Sequence, residues 1–365
     1  MATIRKYETA SGATLYRVRY RTPDNRQTDK RGFTTKRDAE QFANKVEVAK
    51  MTGMFIGASV GKVAVGALGP AWLQRQKGHM KPSGFRSYDS AWRIHVAPRW
   101  GAVRIADTRY SEVQAWVAEL SSKRGASVVQ TAYSVLARIL DDAVRDRLLA
   151  SNPARGVKLP KRAPRRNIYL TAAQLDELAV ESGRYRSLVL LLGVGGLRWG
   201  EAAALTVSSV DFLRRRVELH RNAVMVNSTI IVGTLKSNRN RSVVLPAFVI
   251  DALAETAQGK GRDDLLWSTH GGGYLGPPST TVSWLSGAVA RCQKKDPEFP
   301  RVTAHALRHT AASLAISAGA NPKVVARMLG HASAAMTLDV YADLFESDLD
   351  SVAENVGKLW ARQAN

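Results

Sequence analysis

His305-Ala306-Leu307-Arg308-His309 sets three basic side chains at i, i+3 and i+4. On a helix all three share one face. Arg308 is always charged and the two imidazoles titrate near neutrality, so the cluster repels itself unless something negative lies over it. The composition suggests which anion that is. Lys and Arg number 53 against 31 Asp and Glu, a formal net charge of +22. A surplus of that size predicts an extended polyanionic partner, above all nucleic acid.

Several classes are excluded by the same composition. With 45% hydrophobic and 23% charged residues the chain is globular, and its 365 residues call for two or three domains. The single cysteine, Cys292, rules out an internal disulfide or a zinc-finger framework and fits a reducing cytoplasm. Ile4-Arg5-Lys6 leads into polar sequence, so no secretory leader is expected. The most apolar run, Ser187 to Leu197, is too short for a bilayer and reads as a buried helix.

Upstream of the cluster, Leu170-Thr171-Ala172-Ala173-Gln174 reads as a helix start at Thr171. Gly193-Val194-Gly195-Gly196-Leu197-Arg198-Trp199-Gly200-Glu201 follows. Its glycines match neither G-x-G-x-x-G nor a P-loop, because Glu201 stands where Lys would, so nucleotide binding is not expected. On its own, Arg198 with Glu201 at i+3 reads as a structural salt bridge. Val217 to Leu245 alternates as short strands, and Thr234 to Ser242 reads as a polar hairpin with Lys236 near its tip. Downstream lie Leu329-Gly330-His331 and the helix-like or loop stretch Thr337-Leu338-Asp339-Val340-Tyr341-Ala342. No paired carboxylates point to a metal.

At the other end, Tyr16-Arg17-Val18-Arg19-Tyr20-Arg21 alternates strictly. Strand periodicity puts Arg17, Arg19 and Arg21 on one face, without interleaved acids, and Tyr/Val/Tyr on the other. Ile4 to Tyr7 and Gln27 to Phe33 supply neighbouring strands, and a helix from Lys36, capped by Thr35, buries Ala39, Phe42, Ala43 and Val46. Residues 57–66, rich in Gly and small side chains, read as a linker. Helical stripes follow: Val113, Trp116, Val117 and Leu120, then Val128, Ala132, Val135, Leu136, Ile139, Leu140 and Ala143, with Ser151-Asn152-Pro153 stopping the last helix. Lys158 to Asn167 is an extended basic linker in which Lys158, Lys161, Arg162, Arg165 and Arg166 are free to lie along phosphates.

Taken together, Gly196-Leu197-Arg198-Trp199-Gly200-Glu201, Lys236 in a basic hairpin, His305-Ala306-Leu307-Arg308-His309-Thr310, Leu329-Gly330-His331 and Thr337 to Tyr341 resemble the tyrosine recombinase family, and more closely the phage integrases. The resemblance rests on all five in this order at these separations. Asn152 to Lys161 also looks like the end of the family's core-site-binding domain. One departure is Asp343, where many members carry histidine.

The resemblance implies a multidomain fold, mainly α with small β-sheets. Residues 1–56 would form a three-stranded sheet plus helix that binds arm-type DNA, and 57–66 a linker. Residues 67–157 would form an all-α domain that binds the core site, followed by the basic linker 158–167. Residues 168–345 would be a mixed α/β catalytic domain, and 346–365 a tail helix for protomer contacts. Phe345, Leu349, Val352, Val356 and Leu359 recur at helical spacing, an apolar stripe that the spacing alone would equally let pack within its own subunit.

It further implies that Tyr341 attacks a phosphodiester to form a 3′-phosphotyrosine. Arg198 and Arg308 would bind the non-bridging oxygens, and His305 and His331 would add donors, one helping to take the Tyr341 proton. Lys236 would protonate the leaving 5′-oxygen, Glu201 would orient a neighbouring catalytic group, and His309 would be structural. No cofactor, metal or ATP is called for. The implied partners are double-stranded DNA with core-type and arm-type sites, a homotetramer on that DNA, a host DNA-bending protein and a directionality factor, with no membrane. The setting would be the bacterial cytoplasm and the outcome phage or prophage integration. A type IB topoisomerase uses the same residue types, but the core-binding and arm-type segments argue against it. A non-catalytic DNA-binding protein is disfavoured by the full set Arg198, Lys236, His305, Arg308, His331 and Tyr341.

Overall fold

The computed structural model describes residues 2–22, 25–51, 55, 62–163, 167–235, 240–345 and 356–357. The chain divides into two compact units, Met1–Pro164 and Arg165–Asn365. No helix among the described residues is long and apolar enough to cross a membrane.

The first unit holds two separate apolar cores. Strands β1 (Thr3–Glu8), β2 (Thr14–Arg21) and β3 (Gln27–Phe33) form an antiparallel sheet in that order, followed by α1 (Lys36–Met51). Val18 and Tyr20 of β2 pack with Ala39, Ala43 and Val46 of α1, so the alternation buries the side it should. Thr35 caps α1, its hydroxyl accepting the Asp38 N–H at 3.1 Å. The arginine face differs from the expectation in one respect: it does carry an acid. Asp29 is the cross-strand partner of Arg19, and direct partners share a face. Its carboxylate accepts from Arg19 Nε at 2.9 Å and lies 3.8 Å from Arg17 Nη1.

The second core is helical: α2 (Val65–His79), α3 (Pro82–Ala91), α4 (Ala97–Trp100), α5 (Tyr110–Lys123) and α6 (Ala126–Arg145), with a π turn at Trp92–Val96 joining α3 to α4. Helix α2 starts at Val65, inside the stretch read as a linker, whose residues 57–61 lie outside the described residues. Along α6 the stripe is shifted at its start: Val129 is buried, whereas Val128 is 39% exposed. The helix also ends at Arg145, ahead of Ser151-Asn152-Pro153. Asn152 does something else. Its amide donates to the Ala137 carbonyl and to Asp141, each at 2.7 Å, and its oxygen accepts from the Ala154 N–H at 2.8 Å. It therefore pins the returning chain against α6. That chain is not free either, since Gln114 bonds both backbone groups of Lys158, and Gln130 bonds the Pro160 carbonyl and Arg162 Nε. Lys158 and Lys161 keep exposed side chains, while Arg165 and Arg166 lie outside the described residues.

The second unit runs α7 (Ala172–Glu181), α8 (Arg186–Gly195), α9 (Trp199–Ala203), β4 (Val210–Asp211), β5 (Arg216–Leu219), β6 (Arg221–Val226), β7 (Thr229–Thr234), β8 (Arg241–Val244), α10 (Ala247–Ala257), α11 (Trp284–Lys295), α12 (Ala304–Ser317), α13 (Pro322–Leu329) and α14 (Ala334–Phe345). Thr171 and Gln174 cap α7 reciprocally. The apolar α8, buried at nearly every position, packs on α7, α10 and α12 and forms the centre of the core. Strands β4, β5 and β8 form one antiparallel sheet and β6 with β7 another. Strands β7 and β8, which flank the stretch read as a polar hairpin, belong to different sheets, and residues 236–239 of that stretch lie outside the described residues. A hairpin of β6 and β7 turns at Asn227-Ser228, both with positive φ (48° and 67°), a conformation Asn tolerates well. Lys236, in the connection from β7 to β8, lies outside the described residues.

Candidate active site

Two left-handed glycines organise the site. Gly196 (φ 67°) ends α8, and Gly330 (φ 65°) ends α13. The Gly196 carbonyl accepts Arg308 Nη1 at 2.6 Å, which ties α12 to the end of α8. Two residues after Gly196, Arg198 occupies the cap position of α9, with Glu201 one turn on. The Glu201 carboxylate accepts the Arg198 N–H at 2.8 Å and Arg198 Nη1 at 3.0 Å. Arg198 Nη2 reaches across to the Gly330 carbonyl at 3.2 Å. The salt bridge read from the sequence exists, and it also brings Arg198 to the turn that carries His331.

Glu201 has a second cation. Arg241, the first residue of β8, donates Nη1 and Nη2 to its two oxygens at 2.9 and 2.7 Å. Glu201 is 1% exposed, and the Arg241 side chain 12%. Burial alone would raise the Glu201 carboxyl. The Arg241 and Arg198 bonds and charges override it and hold the group below the usual carboxylate range.

Helix α12 presents the opening cluster as its spacing requires. The His305 and His309 rings meet edge to face, centroids 4.6 Å apart. His331 Nδ1 pairs with the buried Thr337 hydroxyl at 2.8 Å. Tyr341 sits in a small core with Ala312, Ile316, Val325 and Leu329, itself only 2% exposed. Its backbone (φ −127°, ψ 19°) breaks the helical run of α14. The Tyr341 hydroxyl lies 2.8 Å from His309 Nδ1.

Of the residues singled out in the sequence, Arg198, Glu201, His305, Arg308, His331 and Tyr341 thus come together, from turns and helices far apart in the chain. Lys236 lies outside the described residues. Arg17, Arg19, Arg21, Lys158, Lys161 and Arg162 belong to the other unit. Sequence reading missed one participant and gave another a structural role. Arg241 is one basic residue among several between Thr234 and Ser242, and only its contact with Glu201 distinguishes it. His309 was visible as the i+4 neighbour of His305, but its partner Tyr341 comes from α14.

Against the expectation from the sequence, all three imidazoles are held below the ordinary histidine value. Burial, with repulsion from His305 and Arg308, pushes His309 down to about 4. Burial and the charges of Arg308, Arg198 and Arg241 push His331 down to about 4. His305 is lowered in the same way, and burial brings Arg308 down to about 10. The Tyr341 phenol is pushed up to about 12, chiefly by burial. The cluster therefore relieves its own repulsion by keeping its histidines neutral.

A pH dependence follows. An unfolded histidine titrates near 6.5, and these two in the fold near 4. Between those values the unfolded chain binds more protons, so their contribution is complete above about pH 6.5 and drains as pH falls to 4. The melting temperature should fall across that window, before the carboxylates protonate. A melting temperature constant from pH 7 to 5 in calorimetry would contradict the assignment.

Comparison with known proteins gives the family. The profile of the phage integrase family matches residues 166–347. The integrase of Mycobacterium phage L5 is 30% identical over 274 residues, covering 72% of this chain and 71% of that protein. Among solved structures, the Tn1549 transposon integrase in complex with transposon right end DNA superposes with a TM-score of 0.69 at 20% identity, covering 80% of this chain and all of that one. A lambda integrase tetramer bound to a Holliday junction gives a TM-score of 0.56 at 14% identity, over 90% of this chain and 95% of that one. Sequence, fold and relatives converge: the chain belongs to the phage integrase family and is a tyrosine recombinase.

Proposed function

We propose that this protein integrates phage DNA into a bacterial chromosome by site-specific recombination, with Tyr341 as nucleophile. The observation that carries the reading is the convergence of two arginines, three histidines and one tyrosine on a single spot whose neighbouring carboxylate, Glu201, is already engaged by Arg241 and Arg198. A scissile phosphodiester is the anion that fits. Arg198, accessible at 28%, and the remaining donors of the Arg308 fork take its non-bridging oxygens, with His305 and His331 beside them. Preorganised donors of this kind lower a barrier by roughly 3 kcal/mol each. Tyr341 forms the 3′-phosphotyrosine and Lys236 protonates the departing 5′-oxygen. Bond energy is kept in the phosphotyrosine, so rejoining needs neither ATP nor metal.

The division into domains belongs to the same reading. The N-terminal sheet and its arginine face bind arm-type DNA, though with Arg19 engaged by Asp29 the free charge is carried by fewer residues. The helical segment 67–157 grips the core site, with Lys158 and Lys161 beside it. The DNA-bound tetramer of lambda integrase supports a tetramer here, with the tail 346–365 joining protomers. A host bending protein and a directionality factor complete the assembly, which acts on DNA in the bacterial cytoplasm.

Covalent capture tests this. Incubated with a pool of random nicked duplexes in the presence of a chelator and without ATP, the protein should become covalently attached to a definable core sequence. Paired copies of that sequence should then yield recombinant product. A chain that captures no duplex under these conditions is not acting as proposed.

A further inference from the structure

The three histidines of the site are not equivalent. His331 Nδ1 is occupied by the Thr337 hydroxyl. His305 meets the site as a ring edge against His309. Only His309 among them makes a hydrogen bond to the Tyr341 hydroxyl, at 2.8 Å, and it does so through Nδ1. We propose that His309 is the general base that takes the Tyr341 proton during strand cleavage and returns it during rejoining. This rests on the reading of Tyr341 as the nucleophile.

The chemistry of the pair supports the assignment. A phenol buried at 2% exposure is a weak nucleophile while it keeps its proton. A base must lie within hydrogen-bond reach of that proton, and geometry takes precedence over pKa in choosing it. His309 meets the requirement in the ground state, with no substrate needed to bring the two together. Burial, with the Arg308 guanidinium nearby, keeps it neutral, so its lone pair is available. The role requires the tautomer with the proton on Nε2 and the lone pair of Nδ1 towards Tyr341.

The step balances as follows. The Tyr341 O–H bond breaks and its proton passes to His309 Nδ1. The freed electron pair forms the O–P bond. The P–O5′ bond breaks with its pair on the 5′-oxygen, which receives a proton from the Lys236 ammonium. Imidazole becomes imidazolium while ammonium becomes amine, so the charge of the site is unchanged by the exchange. The incoming phosphate, lying among Arg198, Arg308 and His305, offsets the repulsion that would otherwise oppose a cation at position 309.

The test uses the full chain and a core duplex obtained by covalent capture with the wild-type protein. His309→Ala and His309→Gln should bind that duplex within about twofold of wild type. Both should form the covalent adduct about 10²-fold more slowly or worse, the usual size of a general-base contribution. Glutamine can still hydrogen-bond the phenol but cannot accept its proton. A trifluorotyrosine at position 341, whose phenol is far more acidic, should recover most of the loss in both variants. Nitrogen-15 chemical shifts of His309 in the free protein should report the Nε2–H tautomer.

Cleavage by His309→Gln at the wild-type rate would overturn the proton transfer, and so would an undiminished defect with the fluorinated nucleophile. Faster cleavage by His309→Ala would also overturn it, since His309 would then be holding Tyr341 back. Should the alanine variant fail to fold, the glutamine and fluorotyrosine arms decide alone. Failure of the underlying reading looks different: no adduct forms with the wild-type protein itself.

Discussion

Tyr341→Phe is expected to abolish the covalent protein–DNA adduct completely while binding the core duplex as wild type does. The substitution removes one oxygen and leaves the ring in its core with Ala312, Ile316, Val325 and Leu329. Without that oxygen no phosphotyrosine can form, so the loss is absolute. Folding loses only the bond to His309, on the order of 1 kcal/mol. The outcome is read as a shifted band in denaturing gels with nicked duplex. Of the other tyrosines of this unit, Tyr169 has its ring centroid 6.5 Å from that of Tyr341, and the remaining two are poor substitutes. Tyr185 is buried against Trp284, ring centroids 4.4 Å apart, with Arg184 on its hydroxyl. Tyr274 pairs through its backbone with Ser268 and packs by the Ala203, Ala204 and Ala223 cluster. An adduct surviving in Tyr341→Phe would therefore refute the nucleophile assignment.

Glu201→Ala should have the largest effect on stability. Its carboxylate, 1% exposed, holds Arg241 by two bonds and Arg198 by two more. Alanine leaves the Arg241 guanidinium largely out of water beside Arg198 with no acid between them. Removing one partner of a buried ion pair costs about 3–5 kcal/mol. For a unit of this size that amounts to a drop of roughly 10 °C in melting temperature. Cleavage should fall by about 10²-fold or more, because Arg198 loses the group that aims it. Glu201→Gln keeps the shape and some of the bonds, so it should fall between alanine and wild type on both measures. A change in melting temperature under 2 °C for alanine would show that the network carries little of the fold.

Arg241, which sequence reading missed, and the bond of His309 to Tyr341 were hidden for the same reason. A helix face, a strand alternation or a cap is set by neighbours within a few residues. That is why β2, the Thr35 and Thr171 caps and the grouping of His305 with Arg308 were legible. Arg241 and His309 are defined by partners 40 and 32 positions away, and no local periodicity encodes such a contact. Asp29 shows the same limit at shorter range. Its position opposite Arg19 depends on the pairing register, which shifts between Tyr16 and Val18. Other misreadings had a local signal that was overridden. Asn227-Ser228, where β6 turns into β7, is good turn chemistry that the reading of Val217 to Leu245 as short strands passed over. At Val128 and Val129 either valine fits a helical stripe, and only packing chooses between them.

Gly330 joins these strands of argument in a different currency, that of inheritance. Its φ of 65° suits glycine, a Cβ there would come within 2.9 Å of the Arg241 guanidinium, and its carbonyl holds Arg198. Four segments that lie far apart in the gene are therefore locked into one unit of descent. A lineage cannot exchange Gly330 for a larger residue without moving Arg241, nor move Arg241 without exposing the charge of Glu201, nor lose Glu201 without releasing Arg198. Single steps all lead downhill, so descendants that drift at one of these positions should be found to have drifted at the others, or to have stopped cutting DNA.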